Sequence, residues 1–280
     1  MNTKKLKRNI KTIAYYIIVI ILMIIVLFPF YWMVASSFKT QGELFALDPT
    51  WFPQEPTIEN YLRVINTEGF TRYFYNSAIV SFSTTILSIL IGSLAAFAFA
   101  LFKFRGSRIL SFSILLSQMF PISALIVPLF ILISRLQLYN TYSGLIIAYT
   151  VFTLPLAVWL MTGFFDSIPK EIADAAYLDG CSYWQFYFRI LLPLSAPGIA
   201  ATGIFVFLTS WSEFLLALIL TESPSVQTIS VGLSTFIEQR GVDWGGITTA
   251  ATLASLPLLI LFWAVQRHFV AGMTAGAVKG

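Results

Sequence analysis

The chain has 280 residues, of which 58% are hydrophobic and 11% are charged. Because soluble domains carry about 25% charged residues, this composition predicts an integral membrane protein and excludes a soluble globular domain or a nucleic-acid-binding protein. One cysteine, Cys181, and one histidine, His268, exclude an internal disulfide and a multi-cysteine metal site. We therefore expect neither a metal nor another cofactor.

Six apolar runs are long enough to cross a bilayer as helices, which takes about 20 residues. Basic residues precede the first run, but Pro29-Phe30-Tyr31-Trp32 stands where a signal peptide would have a small-residue cleavage site, so we expect a retained span. Prolines in the third and fourth runs predict kinks, or carbonyls that face a cavity; they are Pro121, Pro128 and Pro155. The predicted spans are 13–36, 75–102, 109–133, 144–165, 196–220 and 246–266.

The basic residues between the spans set the predicted orientation. The N-terminal segment, the 103–108 turn, the 166–195 loop and the tail carry twelve Lys or Arg residues, and the other face carries five. Positive charge is enriched on the cytoplasmic side of membrane proteins. We therefore expect both termini and the 166–195 loop to lie in the cytoplasm.

A short segment of small and acidic residues stands out in that loop. It reads Asp174-Ala175-Ala176-Tyr177-Leu178-Asp179-Gly180, and nine residues separate its glycine from Ile190-Leu191-Leu192-Pro193. Pro169 suits the first turn of a helix, where Glu171 is favourable against the positive end of the helix dipole. The alanines and the glycine lack bulk, so another protein can approach the backbone there. On these residues alone, an amphipathic loop at the membrane surface is the alternative.

The spacing of this segment resembles the EAA loop of ABC-importer permeases, with Asp174 where that family usually has Glu. In the family, the loop forms a coupling helix that docks into a cleft on the ATPase subunit. The resemblance implies an ATPase-coupling role for Glu171, Asp174, Ala175, Ala176, Asp179, Gly180 and Pro193.

Other segments are similar to carbohydrate permeases of the maltose/trehalose type, namely Glu59-Asn60-Tyr61, Trp211-Ser212-Glu213-Phe214 and the closing residues 269–280. The resemblance covers nearly the whole chain. It implies the type I permease fold, an all-α membrane protein of six transmembrane helices and a cytoplasmic coupling helix, as one permease domain over 1–280. In that subfamily the tail reaches between the two ATPase subunits. This implies ATPase contacts for Gly276, Lys279 and Gly280, and a disordered terminus is the alternative.

Glu213 is the acid that the predicted spans place well inside an apolar run. Intramembrane ionisable residues usually face a bundle interior or a wet cavity. Trp211, Ser212 and Glu213 are therefore a candidate substrate pathway, because aromatic faces and carboxylates suit polyhydroxyl ligands. The alternative is a structural carboxylate. In the maltose system the other permease subunit holds most of the sugar, which favours that alternative.

These features predict the permease subunit of an ATP-driven importer for a sugar, with a di- or oligosaccharide preferred, in the cytoplasmic membrane. No Gly-x-x-x-x-Gly-Lys-Ser/Thr loop occurs, so we expect a transporter subunit and not an enzyme. The implied partners are a second homologous permease, two ATP-binding subunits and an extracytoplasmic sugar-binding protein. Alternatives are a permease for a non-sugar solute and a self-sufficient secondary transporter, which would need more intramembrane charges and paired repeats. A membrane enzyme would need a cluster of catalytic groups, which the sequence does not offer.

Overall fold

The computed structural model describes residues 3–67, 69–102, 104–238 and 241–277. The helices in these residues are α1 (Thr3–Ser37), α2 (Gln41–Leu44), α3 (Glu59–Asn66), α4 (Phe70–Leu101), α5 (Ser107–Leu116), α6 (Ile122–Arg135), α7 (Tyr142–Asp166), α8 (Lys170–Leu178), α9 (Tyr183–Phe186), α10 (Leu192–Leu194), α11 (Ala196–Ser212), α12 (Leu215–Leu220), α13 (Ile229–Ser234) and α14 (Trp244–Ala277). A 3₁₀ turn (Ser117–Met119) follows α5, and a π-helical turn (Tyr187–Leu191) follows α9. Two short antiparallel strands, β1 (Ile237–Glu238) and β2 (Gly241–Val242), pair Ile237 with Val242.

Four helices in the described residues are long and apolar enough to cross a membrane, over Lys11–Ser37, Phe70–Leu101, Tyr142–Asp166 and Trp244–Ala264. Two bent pairs add up to two further crossings. Ser107–Met119 meets Ile122–Arg135 at 98°, and Tyr183–Leu194 meets Ala196–Ser212 at 76°. The fold is the all-α membrane fold that the sequence predicts, with four to six membrane helices.

Two of the predicted spans are not continuous helices. The run predicted at 109–133 breaks at Phe120 and Pro121, which have extended backbones with ψ of 125° and 128°. Proline supplies no N–H and restricts the residue before it, so the helix stops there. The run predicted at 196–220 is α11 followed by α12, with the break at Glu213 and Phe214.

The chain divides into two compact units. Residues 1–68 and 235–255 form the first unit, and residues 69–234 and 256–280 form the second.

In the first unit, a side chain of α3 bonds the backbone at the end of α1. The buried Asn60 side chain donates to the carbonyl of Ser37 (3.1 Å), the last residue of α1, which has no helical partner, and to that of Lys39 (2.8 Å) two residues later. Arg63, one turn later, forms an ion pair with Asp243. Burial raises the pKa of the Asp243 carboxyl, but hydrogen bonds from Arg63, the Gly246 N–H and Gln41 outweigh it, so the pKa lies below its usual value.

In the second unit, α4, α7 and α11 pack against one another. Small residues allow their close approach: a Cβ added to Gly92 of α4 would lie 3.4 Å from the Ala157 Cβ of α7. Hydroxyl groups also pair inside this core, where Ser88 and Thr153 lie 2.8 Å apart.

An amide clamp holds the loop that follows α12. Asn140, with a left-handed backbone (φ +56°), accepts bonds from the N–H groups of Glu222 (3.0 Å) and Ser223 (3.1 Å). Asn76 donates to the carbonyls of Pro224 and Gln227 at 3.2 and 2.7 Å. The loop is therefore tied to the α6–α7 turn and to the first half of α4.

Candidate functional site

The segment singled out in the sequence forms α8, a helix of nine residues. Pro169 has an extended backbone (φ −56°, ψ 133°) and caps α8, one position before the predicted first turn. A missing N–H costs nothing there, since the first N–H groups of a helix lack helical partners. Glu171 lies in the first turn, where a negative charge is favourable.

Gly180 ends α8 in a Schellman motif. The Cys181 N–H donates to the carbonyl of Ala176 (2.9 Å), and the Gly180 N–H donates to that of Tyr177 (3.0 Å). This geometry needs a left-handed residue at Gly180, whose φ is +79°. Ser182 then starts α9 with a reciprocal capping box to Gln185. Gly180 is thus a helix stop, a role that sequence reasoning missed although glycine after a helix is its usual signal.

The two faces of α8 differ. Its inner face buries Ala173 and Ala176, which are 8% and 7% exposed. Its outer surface presents the remaining predicted coupling residues together with Leu178, namely Glu171, Asp174, Ala175, Leu178, Asp179 and Gly180. The structure therefore separates the two central alanines: Ala175 is on the surface and Ala176 is in the core. Ala176 packs against its own chain and is not open to a partner.

Leu178 was missed by the sequence reasoning. It is 90% exposed, between two exposed acids of the same helix, Asp174 and Asp179. The helical period shows that Asp174 and Leu178 share a face. However, the residue type alone does not show that this face is the open one.

The inner face of α8 packs with residues of α4 and α7. Ala173 and Ala176 belong to a buried cluster with aromatic and aliphatic residues of α4, α7 and the segment after α9, namely Ala96, Phe97, Met161, Phe165, Phe186, Tyr187 and Leu191. The Tyr187 hydroxyl also lies 2.7 Å from that of Ser93 on α4. Ala173 and Ala176 therefore share one packed core with residues of both long helices.

Pro193 follows this buried cluster in the chain and is exposed. The helix widens just before it into the π turn, in which the Leu192 N–H donates to the carbonyl of Tyr187. Proline has no N–H and its ring clashes with the carbonyl four residues earlier, so a wider turn before it relieves the clash. The chain then bends by 76° between Leu194 and Ala196.

Glu213 lies at the break between α11 and α12, not inside a continuous helix. Its carboxylate accepts hydrogen bonds from the N–H groups of Leu216 (3.0 and 3.1 Å) and Ala217 (3.2 Å). The acid therefore caps α12 from the residue pair that interrupts the span. Such caps satisfy N–H groups that a helix start leaves without partners.

Carbonyl groups near the break are also bonded by side chains. The Tyr149 hydroxyl of α7 lies 3.5 Å from the Glu213 carbonyl, and the Ser230 hydroxyl donates to that of Trp211 at 3.0 Å. Because hydrocarbon cannot satisfy backbone groups, these contacts make an interrupted helix stable at this position.

The other two predicted pathway residues are placed differently. The Trp211 side chain is buried at 4% exposure and packs against Phe74 and Phe207 with ring centres 5.3 and 5.5 Å away. Ser212 is exposed, and its hydroxyl donates to the Leu208 carbonyl at 2.7 Å. The structure therefore does not bring the three side chains together as one open polar surface.

Of the predicted tail contacts, Gly276 belongs to α14, and Lys279 and Gly280 lie outside the described residues. Within the described ranges, no group of three or more His, Cys, Asp or Glu residues is placed to hold a metal ion.

Comparison with known proteins assigns the chain to a family. Residues 88–275 match the family described as "Binding-protein-dependent transport system inner membrane component". The sulfoquinovosyl glycerol transport system permease protein SmoH of Agrobacterium fabrum is 36% identical over 254 residues, which cover 91% of this chain and 89% of that protein. The trehalose/maltose transport system permease protein MalG of Thermococcus litoralis is 36% identical over 262 residues, covering 91% and 92%.

A solved structure has the same fold. It is the crystal structure of a bacterial ABC transporter involved in the import of the acidic polysaccharide alginate. One of its chains superposes with a TM-score of 0.79 at 20% identity, covering 94% of this chain and 98% of that one. The chain therefore belongs to the family of binding-protein-dependent transport system inner membrane components, as a multi-pass inner-membrane permease subunit of an ABC importer and not an enzyme.

Proposed function

We propose that this chain is the permease subunit of an ATP-driven importer for a sugar, with a di- or oligosaccharide as the preferred substrate. The observation that carries the sugar assignment is the similarity, over 91% of the chain, to permeases named for sulfoquinovosyl glycerol and for trehalose/maltose. Uptake of radiolabelled sugars by the reconstituted importer tests it. Uptake of a non-sugar solute alone would replace the sugar with another substrate and leave the permease assignment intact.

Partners of the ABC-transporter kind follow from the family. We propose in detail a second homologous permease, two ATP-binding subunits and an extracytoplasmic sugar-binding protein, with both termini of this chain in the cytoplasm. Twelve of the seventeen Lys and Arg residues lie in the N-terminal segment, the 103–108 turn, the 166–195 loop and the tail, which supports this orientation. Cysteine-accessibility labelling from each side of the membrane tests the orientation, and co-purification with a tagged chain tests the partners.

The outer surface of α8 is the proposed docking surface for the ATPase. It combines exposed acids, which can accept hydrogen bonds from a partner, with the small Ala175 and the exposed Leu178. The packing of the inner face on α4 and α7 supports the coupling role, since motion imposed on α8 would reach membrane-spanning helices.

Ala175→Arg tests this surface. Because Ala175 is exposed, the long side chain should not disturb the core but should block close approach of the ATPase. We expect loss of ATP-driven uptake with normal membrane insertion. Ala175→Ser, which stays small, and Asp174→Glu, which restores the usual acid, should both be nearly silent. Normal uptake by Ala175→Arg at wild-type expression would refute docking at this surface.

The tail is the second proposed contact with the ATPase subunits, through Gly276, Lys279 and Gly280. Its support is the run of small residues in the sequence 271–280, which suits a narrow cleft between proteins. Deleting residues 272–280 should lower the ATPase rate of the assembled complex in nanodiscs without preventing assembly. An unchanged rate, still stimulated by loaded binding protein, would remove the tail from the mechanism.

A substrate pathway along Trp211, Ser212 and Glu213 stays a prediction. The bonds of the Glu213 carboxylate to α12 support a structural role for that residue, and the burial of Trp211 supports packing.

A further inference from the structure

The segment 45–52, which follows α2, turns its charged neighbours inward. Lys39 is 2% exposed; its ammonium donates to the Thr50 carbonyl at 2.5 Å and lies 4.4 Å from the centre of the Trp32 ring. The Glu43 carboxylate accepts bonds from the Thr50 hydroxyl and from the Gln54 N–H (3.1 and 3.2 Å). Both charges are therefore satisfied inside the first unit.

The same segment turns its large apolar side chains outward. Phe45 is 64% exposed, Leu47 100%, Trp51 64% and Phe52 73%. Monomeric soluble proteins rarely expose contiguous apolar patches of this kind. A buried Lys39 and a half-buried, hydrogen-bonded Glu43 beside exposed aromatic rings reverse the usual arrangement of a loop in water.

The segment folds back along α1. The Trp51 ring lies 5.8 Å from that of Phe28 and 6.1 Å from that of Trp32, and the Tyr31 hydroxyl donates to the Trp51 carbonyl at 2.5 Å. Phe28 lies nine residues before the end of α1 at Ser37. At a rise of about 1.5 Å per residue, Trp51 therefore reaches roughly 13 Å back along the helix.

This depth coincides with the edge of the hydrocarbon. The apolar part of α1, Lys11–Ser37, has 27 residues, but about 20 suffice to cross the hydrocarbon. The surplus of about seven residues allows its last two turns to extend into the headgroup layer, which would set Trp32 near the boundary, where Trp and Tyr are enriched. Asp48 is exposed, which suits the headgroup layer and excludes the hydrocarbon centre.

We propose that residues 45–52 form an interfacial anchor that inserts Leu47, Trp51 and Phe52 into the bilayer surface at the C-terminal end of α1. Lipid is the occupant because this apolar surface continues that of α1, whose most apolar stretch has no buried residue. The hydrogen bonds of Lys39 and Glu43 lower the desolvation cost that would oppose insertion, and Asp48 stays in the headgroup layer. The anchor would fix the depth of α1.

Spin labelling of the assembled complex in phospholipid nanodiscs tests the anchor. In a Cys181→Ala background, single cysteines at Leu47 and Phe52 carry a nitroxide, with Phe45→Cys as a replacement if either assembles poorly. Glu55→Cys, an exposed position of the same loop, is the matched control. Collisions with dissolved oxygen and with a water-soluble nickel chelate are measured at each site.

We expect oxygen to relax the labels at 47 and 52 more than the nickel chelate does, with the ratio reversed at 55. Equal or greater relaxation by nickel at 47 and 52 would place the segment in water and overturn the anchor. Low relaxation by both reagents at these sites would mean that a protein partner covers the segment, which also overturns it. The permease function is untouched by either result.

Discussion

The break in the fifth predicted span offers the sharpest test, because one carboxylate holds the start of α12. Glu213 accepts bonds from the N–H groups of Leu216 and Ala217 at 3.0–3.2 Å. Removing a helix N-cap costs about 0.5–2 kcal/mol, and hydrogen bonds to charged groups are worth about 1.5–3 kcal/mol. Glu213→Ala removes this acceptor from both N–H groups, so we expect a loss of about 2–3 kcal/mol.

Glu213→Gln should cost about 1 kcal/mol, because the amide keeps one acceptor oxygen but loses the charge. The assay is the melting temperature and the sugar uptake per molecule of the same purified complexes in nanodiscs. We expect the melting temperature to fall from wild type to Gln to Ala, and Glu213→Gln to transport at close to the wild-type rate. Glu222→Gln, at an exposed acid of the adjacent loop, should change neither quantity.

The opposite pattern would refute the capping argument. If Glu213→Gln melts like the wild type but transports slowly, or prefers another sugar, the carboxylate contacts the substrate and not the start of α12. A stable Glu213→Ala complex would contradict the magnitude directly, since it would mean that water or another donor–acceptor pair replaces the cap at no cost.

Three further predictions concern the end of α8 and two loops. Gly180→Ala should destabilise the end of α8 by about 1–2 kcal/mol, the cost of a Cβ in a left-handed backbone, while Gly180→Asn should cost less; equal hydrogen exchange of the Cys181 amide in both variants would contradict this. The lowered pKa of Asp243 means that the stability its carboxylate contributes to the fold is present above the unfolded pKa and is lost as the pH falls through the folded pKa. Hydrogen exchange of the amides around Asp243, corrected for intrinsic rates, should therefore rise in acid. Asp243→Asn should abolish this rise. Asn140→Gly keeps the left-handed backbone but removes the acceptor, so the free energy of local opening of the loop after α12, measured by hydrogen exchange, should fall by about 1–3 kcal/mol. Asn140→Asp keeps an acceptor and should protect the loop. The same exchange in both variants would refute the clamp.

The sequence by itself determined the class of the protein, the places of its apolar runs and the place of the small, acidic segment that forms α8. Long apolar helices can cross hydrocarbon, so composition and run length predict six crossings, and the described residues contain four such helices and two bent pairs that add up to two more. The small and acidic residues 174–180 cannot lie in hydrocarbon. The sequence therefore predicts that the segment that forms α8 lies outside the spans. Proline chemistry predicted kinks at Pro121, Pro128 and Pro155. The helix breaks at Pro121, whereas Pro128 and Pro155 lie inside α6 and α7. The bend of 98° at the break depends on packing that no local rule supplies.

Only the tertiary structure decided which side of each element is in contact. Ala175 and Ala176 are the same residue type in adjacent positions, and the packing of α8 on α4 and α7 buries one and exposes the other. The carboxylate of Glu213 found its partners because the span is interrupted where it lies. Trp51 meets Phe28 across 23 residues of chain. Sequence patterns report local spacing and polarity, whereas these contacts join groups that only the folded backbone brings together.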